Sequence, residues 1–322
     1  MKKNFLLTVC LAVAGVLGVN AQQSIVALHH EGKVTLYAGS ATQDAMDASV
    51  KGDTLYLSEG LFGGFNVTHG IVVLGSGEST IVSGDITITG NSAKKDLGDY
   101  VFSGLNMLHN FVINDSVNGL KMNQCQMADF EVKDRKVLDA AEICMSYIRG
   151  TLKFNGYIDD GNKVYGIEVL NSKINTVYCG GRNIGSVVFT NCNICEQKPS
   201  VVTTGDPSAS NNIYNNCIIQ EARRSTYINC LYKNTYYAQN LLNCWQDGDL
   251  SFDNSLNCSY SDEELASKGW IGTNGTVVGI TGGVQPYTLE LFTPHVTEHK
   301  IDVDNVNRTL KVTLKMSGET AQ

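Results

Sequence analysis

Short runs rich in apolar residues recur along most of the chain. They include Val34–Tyr37, Ile86–Ile88, Phe111–Ile113, Gly119–Met122, Ile174–Tyr178 and Ser186–Phe189. They are short and bounded by Gly, Asn or Asp, a pattern of brief apolar runs with turn punctuation that predicts strands. Helical spacing is confined to two places. Thr42–Val50 carries Ala45, Met46, Ala48 and Val50 after a polar start, and Ser261-Asp262-Glu263-Glu264-Leu265 has the form of a capping box.

Within this pattern one phrase repeats five times. An apolar or aromatic residue precedes Asn-Cys at Asn191-Cys192, Asn216-Cys217, Asn229-Cys230, Asn243-Cys244 and Asn257-Cys258, at spacings of 25, 13, 14 and 14 residues. In coils of parallel strands each position sits roughly 4.8 Å from its counterpart in the next rung, so like residues stack on like. An inward Cys fills a narrow core. An Asn at the adjoining turn tolerates left-handed backbone and can bond its amide to the next Asn.

A step of 14 is short for a rung of roughly 20 residues or more. Two steps per rung are therefore predicted, with Cys192, Cys217 and Cys244 in one file, flanked by Asn191, Asn216 and Asn243, and with Cys230 and Cys258 in another. Cys192 and Cys195 form a C-x-x-C, but no second pair completes four ligands, so no metal site is expected.

Composition narrows the partners. With 24 basic and 32 acidic residues the net charge is −8, which disfavours nucleic acid and anionic membrane surfaces. Gly at 32 and Pro at 4 suit many tight turns and few linkers. Residues 1–21 have the form of a signal peptide: Lys2-Lys3, an apolar run from Phe5 to Val16, and Val19-Asn20-Ala21. An exported product is expected, secreted or held in the periplasm or at the surface of a gram-negative cell. No later stretch reaches the roughly 18 apolar residues of a membrane span.

The segment Gln43–Gly90 combines the short helix with Gly52-Asp53-Thr54-Leu55-Tyr56-Leu57, Gly60-Leu61-Phe62, Gly70–Gly77 and Thr80–Gly84. It resembles the amino-terminal cap and first rungs of pectate-lyase-like right-handed parallel β-helices. The resemblance implies an all-β, single-stranded right-handed parallel β-helix (a solenoid) over 22–290, with a short N-terminal capping helix and a C-terminal β tail or cap over 291–322. The Gly275–Pro286 segment, with Gly279-Ile280-Thr281-Gly282-Gly283, resembles the ending of secreted β-helix proteins from anaerobic gram-negative bacteria. Its glycines are expected to turn the last coil, and Pro286 to end pairing there.

Chemistry is less distinct. Hydrolases that the fold resembles cluster three Asp, because one carboxyl protonates the leaving oxygen while another activates water. This chain offers Asp159-Asp160-Gly161, which also has the form of a turn. Lyases of the fold require calcium and a basic residue; Arg223-Arg224 is a candidate. Tyr236, Tyr237 and Trp245 are candidates for stacking on sugar rings. The leading reading is non-catalytic binding of a glycan or another cell-envelope component, without a cofactor. The alternatives are a polysaccharide lyase, with Ca2+, or a glycoside hydrolase around Asp159, Asp160, Arg223 and Arg224, and a structural component of a surface assembly.

Overall fold

The computed structural model describes residues 24–89, 99–133, 136–154, 166–179, 187–198, 212–223, 225–236 and 240–289, with the backbone of 295–304 and 309–317. The predicted leader, Asp159, Asp160, Arg224 and Tyr237 lie outside the described residues. The molecule is mostly β and solenoid-like, built on a 12-stranded and a 14-stranded sheet. From Thr54–Leu57 to Trp245–Gln246 the ladders are parallel, and each circuit of the chain adds at least one strand to each sheet.

Early circuits carry a third strand as well, at Phe65–Val67, Ile86–Ile88, Phe111–Ile113 and Phe130–Val132. Later circuits have two strands, and the last of them are short. Val188 pairs with Ile213, Ile213 with Thr226, and Thr226 with Asn240, steps of 25, 13 and 14 residues. The 14-residue step is thus a whole rung. This corrects the two-file arrangement of the thiols. Cys192, Cys217, Cys230 and Cys244 follow one another on successive rungs in a single file, and Cys258 lies outside it, beside an isolated antiparallel bridge to Phe252.

The corner before each thiol is left-handed, as the Asn-rich phrase led us to expect: φ is 53° at Asn191, 53° at Asn216, 49° at Asn229 and 52° at Asn243. Asn adopts this region at little cost because its short amide can bond locally. The file continues toward the amino terminus in other residues, with Asn171, Met145, Gln124 and Gly104 at positive φ followed by Ser172, Ser146, Cys125 and Leu105. Cys and Ser serve the same corner. The N–H of Cys192 donates to Cys217 Sγ at 3.5 Å and that of Cys217 to Cys230 Sγ at 3.4 Å, as the N–H of Ser146 donates to Ser172 Oγ at 3.1 Å. A small side chain with a soft acceptor satisfies an N–H that would otherwise be buried unpaired.

Inside, one file on the 12-stranded sheet runs Leu55, Val73, Phe102, Met122, Ile143, Val169, Phe189, Tyr214 and Tyr227, each at most 1% exposed. The Phe189 and Tyr214 rings stack at 4.7 Å and those of Tyr214 and Tyr227 at 4.9 Å, distances set by the rung spacing.

At the amino end, Ile25–His30 and Lys33–Ala38 pair antiparallel and join Thr54–Leu57. Helix α1, Thr42–Ala48, buries Ala45 and Met46 against them. At the other end, helix α2 (Asp262–Ser267) carries the predicted capping box between Ser261 and Glu264. The chain after Gln246 does not continue the coil but folds back along its outer flank. His295–Asp304 and Thr309–Ser317 pair antiparallel in a sheet of their own, as expected for the tail.

Candidate functional site

The second sheet presents one outward file across ten rungs: Leu61, Ile81, Asn106, Gln126, Tyr147, Lys173, Asn193, Ile218, Leu231 and Trp245. Its character changes along the coil. Ile218, Leu231 and Trp245 are covered by Leu250, Leu265, Trp270 and Val278 from the folded-back segment. Lys268 tightens that cover, 3.5 Å from Asp247 and over the Tyr260 and Trp270 rings.

The segment is held over the polar middle of the file by the corner asparagines. Asn216 Oδ1 accepts from the Thr273 N–H at 3.1 Å, the Gly279 N–H donates to the Asn216 carbonyl at 2.8 Å, and Asn171 Nδ2 donates to the Gly282 carbonyl at 2.7 Å. The amides therefore bind the returning chain, where an Asn-to-Asn ladder was expected. The glycines of Gly275–Pro286 accordingly do not turn a last coil. They permit close approach, since a Cβ at Gly279 would meet Ile218 and Asn193 and one at Gly283 would collide with the Asn191 amide.

Between this strap and the file lies a cleft of about 870 Å3. Its floor is Gln126, Tyr147 and Lys173; Ser76, Gly77 and Glu78 form one side, and Ser255 and Tyr287–Leu289 the other. Gln126 Nε2 donates to Glu78 Oε1 at 2.8 Å and the Tyr147 hydroxyl to the Asn254 carbonyl at 3.3 Å. Lys173 Nζ donates to Asn257 Oδ1 at 2.7 Å and sits 4.6 Å from the Tyr287 ring centre and 5.9 Å from that of Tyr147. Burial lowers the Lys173 pKa, opposed by the Asp253 carboxylate, and burial raises the phenols of Tyr147 and Tyr287. The cleft thus offers two neutral aromatic rings, an ammonium and amide groups, a combination suited to holding a hydroxylated ring.

The sequence candidates fall elsewhere. The Arg223 guanidinium pairs with Glu221 at 2.6 Å and covers the Tyr236 ring at 4.8 Å. Tyr236 is 45% exposed but shares its face with that guanidinium, and Trp245 packs beside the apolar cover. None of these lines the cleft. Tyr147 and Lys173 carried a signal that went unused: they begin consecutive rungs of the second sheet, each just after a corner at Met145-Ser146 or Asn171-Ser172. Tyr287 follows Pro286 at the end of the strap.

Among the described residues no cluster of three or more His, Cys, Asp or Glu could hold a metal ion, and no helix is long and apolar enough to cross a membrane. No family model, curated protein or solved structure matches this chain.

Proposed function

We propose that the chain is an exported right-handed parallel β-helix that binds a glycan in this cleft without transforming it. The observation that carries the reading is that Tyr147 and Tyr287 line one cleft, with the Lys173 ammonium close to both rings and Gln126 on the same floor. Aromatic faces pack on the apolar faces of sugar rings, while amides and ammonium groups meet the hydroxyls. The described lining carries one carboxylate, Glu78, already engaged by Gln126, whereas acid–base hydrolysis needs two placed across the scissile bond.

Affinity electrophoresis through gels containing neutral and acidic polysaccharides tests the reading. The wild-type chain should be retarded by at least one polymer, and Tyr147→Ala or Tyr287→Ala should weaken that retardation about tenfold, as loss of a buried aromatic contact implies. Reducing-sugar and unsaturated-uronate assays on the same polymers should stay at background. Retardation by none, or retardation unchanged in both variants, refutes the site.

A further inference from the structure

The cleft has a direction, and with it a charge preference; this rests on the glycan reading and names what the glycan carries. Lys173 is 8% exposed, yet among the described residues no carboxylate lies within ion-pair distance of its ammonium, whose partners there are Asn257 Oδ1 and the two rings. A buried cation without a counter-ion is unfavourable. Asp253, whose charge it feels, spends its oxygens on the N–H groups of Ser255 and Asn257 and on the Asn257 amide. It reaches Lys173 only through that amide.

The floor ends at Lys173. The next position in the file, Asn193, is 1% exposed and donates to the Leu256 carbonyl at 3.0 Å, so the chain at 254–257 closes that end. At the other end Glu78 is exposed, and its carboxylate opposes a second anion there. From Gln126 to Lys173 the floor spans two rung steps, roughly 10 Å, room for a disaccharide lying along the coil axis.

We propose that the closed end receives one oxyanion, a carboxylate or a sulfate, carried by the terminal residue of the bound glycan, with Lys173 as its counter-ion. The cleft then reads a chain end, with the charged residue innermost and the neutral residues running out past Tyr147 toward Glu78.

Calorimetry on the full chain tests this with matched disaccharides of glucose, galactose and mannose. Each would have a non-reducing terminus bearing a C6 hydroxyl, a C6 carboxylate or a C6 sulfate. At least one acidic member should bind ten-fold or more tightly than its neutral counterpart, with the advantage shrinking as salt is raised. The carboxylate and sulfate arms identify which oxyanion is taken. Lys173→Met should erase the preference, and Lys173→Arg should restore it; melting curves confirm that both variants fold.

Equal binding of neutral and acidic members overturns the charge proposal and leaves the glycan reading standing. So does a preference that survives Lys173→Met, or one shown equally by trisaccharides whose acidic residue is internal. Binding by no member at all overturns both.

Discussion

Two stretches of one outward file meet their surroundings in opposite ways. Gln126, Tyr147 and Lys173 stand along an open cleft, whereas Ile218, Leu231 and Trp245, further along the same sheet, lie beneath α2 and the strap. Backbone, rung spacing and direction are the same for both. The apolar stretch could not stay wet and acquired a cover, and the cover's tail became the wall of the polar stretch. Side-chain character at a single register position thus decides where this coil is core and where it is site.

The largest effect should come from emptying the covered stretch. Leu231 is fully buried between sheet and strap, so Leu231→Ala should cost about 2–5 kcal/mol in denaturant unfolding. Gln126→Ala, in the same file but beside solvent, should cost about 1 kcal/mol, the net worth of one hydrogen bond. Comparable losses at the two positions would abolish the distinction.

Next, Gly283→Ala places a side chain at φ 86° and against Asn191. It should cost roughly 1–3 kcal/mol and loosen the strap selectively, seen as faster amide exchange at 276–287 with the coil strands unaffected. A smaller loss, about 1 kcal/mol, is expected for Ser261→Ala, which removes the cap of α2. A pH effect away from both stretches should be smaller still. The hydrogen bond to Asp53 raises the His30 pKa above 6.5, so its contribution is full below that value and is lost as pH rises through the folded one. His30→Asn should flatten the melting-temperature profile in that window, and an unchanged profile would show that the pair is not coupled to folding.

Much of the fold was legible because parallel stacking repeats its chemistry from rung to rung. The short apolar runs between turn residues gave the strands, Ser261 and Glu264 gave α2, and the Asn-Cys phrase marked the left-handed corner. The rung length was misjudged because a rung shortens from 25 residues to 13 with the phrase unchanged; only pairing such as Ile213 with Thr226 reveals it. The earlier part of the file was hidden by substitution, since Met145-Ser146 and Gln124-Cys125 meet the same backbone requirement in other letters.

The cleft was illegible for a different reason. Lys173 and Tyr287 are 114 positions apart in sequence and meet only because the strap runs back along the coil, held by asparagines that the repeat led us to pair with one another. Exposed aromatics such as Tyr236 were conspicuous in the sequence, and the site instead uses half-covered ones.

The most direct test is an NMR titration of ring-labelled tyrosines with the tightest-binding acidic disaccharide. Ring resonances of Tyr147 and Tyr287 should shift together and saturably, with Tyr236 unmoved. Shifts centred on Tyr236, or saturable binding that leaves Tyr147 and Tyr287 still, would contradict the account.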